Sequence, residues 1–187
     1  MRTQTRPKRP PRPLDSARLN ELALAYVARF ATSAAKVEDY LRRKLRERGW
    51  EGEEDAPIKA LVARLVEAGY VDDTAFARAK SGSLLRRGYG QRRIGQALGA
   101  AGIAAEVRED VRAGQSAQRL AALALARKRR FGPFGEKAQD RAQREKQLSA
   151  MLRAGHPLDS ARELVNAPSV AAAEQWAADA EEDESCG

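Results

Sequence analysis

Three helical stretches of this chain close in the same way. Leu41-x3-Leu45-x3-Gly49-Trp50, Ile94-x3-Leu98-x3-Gly102-Ile103 and Gln147-x3-Met151-x3-Gly155-His156 follow one another at intervals of 53 residues. A glycine just past the last apolar position predicts a left-handed helix C-cap, where the missing Cβ removes a steric penalty. The residue after it can then fold back onto the preceding helix. A short helix follows each cap, so the repeating unit reads as long helix, middle helix, short helix. Repetition at this period predicts an elongated array, because each unit mainly contacts its neighbours. The third copy is the weakest, with Gln147 where the others carry Leu or Ile.

Between the termini the apolar period is helical throughout. Leu19, Leu22, Ala23, Tyr26, Val27 and Phe30 form one continuous face, and Ser33 is placed to cap a second helix with Val37, Tyr40, Leu41 and Leu45 inward. Ile58, Leu61, Val62, Leu65 and Val66 mark a third, closed by Gly69. Asp72 and Asp73 stand where they would cap a fourth, which carries Phe76 and Leu84 and breaks at Gly88 and Gly90. Ile94, Ala97, Leu98 and Ala101 give a fifth, Val107 and Val111 a short sixth. A seventh is expected over about Gln115–Arg130, an eighth over about Lys137–Ala154, and a ninth on Ala161, Leu164 and Val165. No useful stretch alternates with period two, so the expected fold class is all-α: an elongated, curved array of three tandem three-helix repeats.

Charge is distributed unevenly. The net charge is +8 over 187 residues. Residues 1–13 hold five bases and no acid, residues 168–187 six acids and no base, and residues 74–135 thirteen bases against three acids. Such a field favours a polyanion or an acidic protein surface as partner. A single cysteine, Cys186, and a single histidine, His156, leave no basis for a disulfide framework, a Cys-type zinc site or most histidine-based catalysis. The longest apolar run is seven residues, Leu120–Ala126, far short of the roughly 20 that span a bilayer. No phosphate-binding Gly-x4-Gly-Lys loop exists. The expectation is therefore a cytoplasmic chain with no catalytic residues, no metal and no cofactor.

The candidate binding residues are basic. Arg42, Arg43, Lys44, Arg46 and Arg48 crowd the polar sides of the second helix. Arg86, Arg87, Arg92 and Arg93 straddle two glycines inside a stretch of 32 residues without an acid. A solvated helix face usually mixes signs, and this one does not; arginine forks pair bidentately with phosphate or carboxylate. Arg127, Lys128, Arg129 and Arg130 end the seventh helix, where the helix dipole alone would favour them. Tyr89, between Gly88 and Gly90, reads either as an exposed stacking aromatic or as a filler between repeats. Trp50 and Phe76 read as core, Asp72 and Asp73 as N-caps, and His156 as structural.

These residues carry a resemblance. The run Glu38-Asp39-Tyr40-Leu41-Arg42-Arg43-Lys44-Leu45-Arg46-Glu47-Arg48-Gly49-Trp50 resembles the first-repeat helix of the RecX regulators, bacterial modulators of the RecA recombinase. Leu65-Val66-Glu67-Ala68-Gly69-Tyr70-Val71-Asp72-Asp73-Thr74-Ala75-Phe76-Ala77-Arg78 and Gly88-Tyr89-Gly90-Gln91-Arg92-Arg93-Ile94-Gly95-Gln96-Ala97-Leu98 resemble that family's later blocks, in the same order. The likeness covers roughly residues 15–166. It implies a non-enzymatic protein that lies in the helical groove of RecA filaments on single-stranded DNA. There it would inhibit ATP hydrolysis, co-protease action and strand exchange, in DNA repair, recombination and the SOS response. The expected organisation is a disordered basic tail (1–14), repeats at 15–71, 72–114 and 115–167, and an acidic tail (168–187) with a short helix over Val170–Ala180. Expected partners are the RecA nucleoprotein filament and single- and double-stranded DNA, with no membrane and the chain a monomer. The competing reading is a basic, non-enzymatic nucleic-acid-binding helical module.

Overall fold

The computed structural model describes residues 12–136 and 140–185, the last five by their backbone alone. Among the described residues there are ten α-helices and no strands: α1 (Ser16–Arg29), α2 (Ala34–Arg48), α3 (Ile58–Glu67), α4 (Asp73–Arg86), α5 (Gln91–Gly99), α6 (Ala105–Asp110), α7 (Gln115–Arg129), α8 (Arg141–Arg153), α9 (Leu158–Asn166) and α10 (Val170–Ser185). They form tandem three-helix repeats. The chain divides into two compact units, Met1–Asp73 and Thr74–Gly187.

The first unit is α1 to α3 around Leu19, Ala23, Val37, Leu41, Leu61, Val62 and Leu65. Leu41 is fully buried, and its truncation to Ala would cost about 2–5 kcal/mol. Asp15 caps α1 through the Arg18 N–H (2.8 Å), and Ser33 caps α2 through the Lys36 N–H (3.4 Å). The Asp73 carboxylate, in the first turn of α4, accepts the Ala34 N–H at 2.9 Å, a second cap for α2. Residues 1–11 of the expected disordered tail lie outside the described residues, but its last member is ordered. Leu14 is fully buried and exchanges backbone hydrogen bonds with Gly49 (3.0 Å) and Glu51 (2.9 Å), because the turn after α2 leaves those groups unpaired.

The second unit holds two further cores. Ala77, Leu84, Ile94, Leu98, Ala101 and Ile103 join α4 to α6; Ala122, Leu123, Ala126, Met151, Ala161, Leu164 and Val165 join α7 to α9. The three repeating glycines all adopt positive φ, at 82°, 74° and 97°. Gln147 has a specific role rather than a weakened one: its Oε1 accepts the Gly132 N–H at 2.9 Å, satisfying the turn after α7. α8 begins at Arg141 behind a capping box of Asp140 and Gln143; Lys137, where the spacing would start it, lies outside the described residues. α7 ends on Arg130 in the left-handed region, φ 55°, a conformation that costs a non-glycine residue about 1 kcal/mol.

The acidic end is more ordered than its composition suggests. α10 continues beyond Ala180 to Ser185, and Ala173, Ala177 and Ala180 are buried along its α7-facing side. Alanines at this spacing let two helices approach closely. The Arg119 guanidinium lies 5.0 Å over the Trp176 ring and donates to its carbonyl at 2.9 Å.

What joins the second and third repeats is an end-to-end contact. The first N–H groups of a helix and the last carbonyls of another lack intrahelical partners. Here the Gly90 N–H donates to the Ala154 carbonyl (2.9 Å) and the Arg92 N–H to the Gly155 carbonyl (3.3 Å), while the Arg92 guanidinium donates to the Leu152 carbonyl. The dipole of α8 thus runs into that of α5. Only glycines permit this approach. A Cβ on Gly90 would lie 2.5 Å from the His156 nitrogen and closer still to the Gly155 carbonyl; one on Gly155 would lie 2.7 Å from the Arg93 Cβ. His156 is buried beside them, its Nε2 donating to the Gly88 carbonyl at 3.0 Å.

Gly90→Ala should therefore destabilise the protein by about 2–3 kcal/mol in urea unfolding. Gly95→Ala, on a helix position with open space around it, should stabilise it by about 0.5–1 kcal/mol. Equal effects of the two would remove the close approach as a constraint. Burial holds the His156 pKa below its ordinary 6.5, against the opposing pull of the Gly88 carbonyl. Its contribution is complete above that ordinary value and is lost as pH falls below it towards the lowered folded pKa. The melting temperature of the native protein should thus fall more steeply than that of His156→Gln on acidification below pH 6.5; parallel curves would refute this.

Candidate functional site

The junction of α5 and α8 brings together side chains that are far apart in sequence. Arg87 follows α4, Tyr89 lies in the turn, Arg93 sits in the first turn of α5, Lys128 and Arg129 end α7, and Arg153 ends α8. Together with Leu125, Phe131, Ala150 and Ala154 they line a cleft of about 360 Å³. Its lining holds five cations and no acid. The Arg87 guanidinium stands 5.4 Å over the Tyr89 ring and that of Arg129 stands 5.9 Å over the Phe131 ring. Tyr89 is half-buried: its ring packs against the second repeat's core, and the residue also lines the cleft.

Like charges a few ångströms apart at a protein surface repel by roughly 1–4 kcal/mol a pair. An arrangement of five such groups without a carboxylate is stabilised by an external anion. Guanidinium forks and an ammonium fit phosphate or carboxylate oxygens, and the two ring faces offer flat apolar surface beside them.

Of the thirteen basic residues singled out from sequence, the cleft collects Arg87, Arg93, Lys128 and Arg129. The α2 cluster is different. Arg42 pairs with Glu38 and with Asp39 (3.4 Å), Arg43 with Glu47 (3.7 Å), and Lys44 with Glu47 (2.6 Å). That hydrogen bond from Lys44 holds the Glu47 carboxyl below its usual range. This helix face mixes signs along its own length; Arg48 donates its Nε–H to the Arg12 carbonyl at 2.9 Å, and Arg46 is exposed. Within the basic end of α7, Arg127 pairs with Glu174 of α10 and Arg130 with Glu136 (2.6 Å), leaving Lys128 and Arg129 to the cleft. Arg86 is exposed and outside the lining. Arg92 points the other way, to Leu152. Arg153 was not singled out from sequence. Nothing marks it until the end of α8 is known to meet the start of α5. Among the described residues no group of three or more His, Cys, Asp or Glu side chains converges to hold a metal, and no helix is long and apolar enough to cross a membrane.

Comparison with known proteins agrees with this architecture. Residues 72–111, which contain α4 to α6, match the family model described as RecX, second three-helix domain. A regulatory protein RecX of Myxococcus xanthus is 34% identical over 169 residues, covering 86% of this chain and 90% of the relative. The regulatory protein RecX of Thermus thermophilus is 39% identical over 89 residues, covering 48% of this chain and 59% of the relative. The crystal structure of RecX from Lactobacillus salivarius superposes with a TM-score of 0.63 at 19% identity, covering 80% of this chain and 94% of the other. The fold likeness and the near full-length sequence match lead to one conclusion: the chain belongs to the RecX family of regulatory proteins.

Proposed function

We propose that this protein binds the RecA–single-stranded DNA filament in its helical groove and inhibits RecA ATP hydrolysis, co-protease action and strand exchange. It would do so as a monomeric cytoplasmic regulator of DNA repair, recombination and the SOS response, without catalysis of its own. The observation that carries the reading is the uncompensated basic cleft at the α5–α8 junction of a RecX-family chain. A filament offers the same anionic surface at every protomer and every phosphate. Contacts that are weak singly become strong when a tandem-repeat protein reaches several at once, and electrostatic steering speeds the encounter.

A second reading, direct nucleic-acid binding by the same cleft, is favoured by its two aromatic walls. Cations beside ring faces suit phosphodiesters with bases stacked against them. The two readings are compatible, since the filament contains single-stranded DNA.

Substoichiometric protein should repress DNA-dependent ATP hydrolysis by the cognate recombinase, and a variant with Arg87, Arg93, Lys128 and Arg129 all changed to Gln should lose at least tenfold in potency while keeping its helical circular dichroism. Undiminished repression by that variant would place the interface elsewhere. For oligo-dT alone, five cation–phosphate contacts predict a log–log salt slope of about −3.5. In a fluorescence titration the same variant should flatten that slope to about −0.7; an unchanged slope would remove the cleft from DNA binding.

A further inference from the structure

The last twenty residues contain six acids and no base, and the structure lays the start of this stretch on α7, whose own end is basic. The Ser169 Oγ accepts the Ala172 N–H at 3.1 Å and caps the first turn of α10. Ala173 and Ala177 pack into the core of α7 to α9 beside Ala122, Leu123 and Ala126, and the Arg119 guanidinium of α7 donates to the Trp176 carbonyl. Glu174 is thus fixed between anchored residues. Its carboxylate accepts from the Arg127 guanidinium, which also lies 5.6 Å over the Phe134 ring. A guanidinium stacked on a ring keeps its in-plane N–H donors for an anion, and here Glu174 is that anion.

Arg127 precedes Lys128 and Arg129, which line the basic cleft, yet it is not part of the lining itself. Successive helix residues rise by only about 1.5 Å, so the three share one short stretch of backbone. That stretch is well inside a Debye length of about 10 Å at 0.1 M salt. The ion pair therefore cancels a positive charge within reach of the cleft's field. It is also accessible. The side chains of Arg127 and Glu174 are 57% and 46% exposed, so a ligand can reach both. An exposed pair of this kind adds little to folding stability, and the buried alanines and Arg119 hold α10 in place without it.

We propose that α10 is an intramolecular brake on the basic cleft: Glu174 occupies Arg127 and so keeps a sixth cation from a single-stranded polyphosphate bound along the other five. Such a strand carries a charge at every nucleotide, so it has a further phosphate to place on a cation next to Lys128. An isolated anion seated among the five would have none. The inference rests on the reading of the cleft as a strand-binding site.

The test titrates labelled oligo-dT with the full chain, by fluorescence anisotropy at several salt concentrations. Glu174→Gln should bind about fivefold more tightly at 0.1 M salt and steepen the log–log slope from about −3.5 to about −4.2, the increments of one added phosphate contact. Glu163→Gln removes the same charge from an exposed position on α9 and should change affinity less than twofold. Arg127→Gln alone should leave affinity within about twofold of native, and in its background Glu174→Gln should give no more than Glu163→Gln does. Circular dichroism should show the same helicity in all of these variants. The brake is overturned if Glu174→Gln gains no more than Glu163→Gln, if its gain persists without Arg127, or if Arg127→Gln alone lowers affinity fivefold. Failure of the cleft reading looks different: the fourfold Gln variant of the cleft would then bind oligo-dT as the native protein does, while a gain from Glu174→Gln that requires Arg127 would still support the withholding of that arginine.

Discussion

The candidate site of the second unit is built on one contact, the abutment of the carboxy-terminal end of α8 on the amino-terminal end of α5. Each helix end carries backbone groups that the helix itself cannot satisfy, and here each end satisfies the other. The contact is made through main-chain atoms at Gly90 and Gly155, so it is short and fixes the crossing of the two repeats with little freedom. Burial of His156 beneath it, with a hydrogen bond to Gly88, ties the same turn to the end of α4. Rigid placement matters because arginine side chains are long and lose conformational freedom when they bind; a fixed backbone leaves only the side chains to be ordered.

The same contact determines the electrostatics. Bringing two helix termini together also brings their flanking residues together, and these are basic on both sides: Arg87 and Arg93 around α5, Arg153 on α8, Lys128 and Arg129 on α7. Acids are not absent from the unit but are spent elsewhere, Glu174 on Arg127, Glu136 on Arg130 and Glu109 on Arg112. The field of the cleft is thus a product of which carboxylates are withheld as much as of which arginines are supplied.

Much of the fold was legible in the sequence because it is written in local rules. The apolar period of 3.6, Ser33 as a cap and glycines 49, 102 and 155 at positive φ follow from backbone sterics acting within a few residues. What was not legible was long-range. Asp73 looks like the cap of its own helix, and its carboxylate is bonded to the start of another. Gln147 looks like a defect in the third copy and is a hydrogen-bond acceptor for a turn 15 residues away. In the site, composition identified the basic middle of the chain but could not divide Arg127–Arg130 into two cations paired with carboxylates and two that line the cleft. It could not find Arg153 either, since that requires knowing which helix ends meet. The helix at the acidic end was foreseen only in part, because packing of Ala173, Ala177 and Ala180 on α7 adds to the propensity of its alanines.

The placement of the two tryptophans has a practical consequence. The chain has two: Trp50 packs against the first unit's core and donates its indole N–H to the Glu54 carbonyl at 2.6 Å, while Trp176 rests under Arg119 on α10. Each compact unit therefore holds one tryptophan, in a distinct environment. Emission from single-tryptophan versions reports the melting of either unit separately, and quenching of the Trp176 signal distinguishes release of the last helix from loss of the first core.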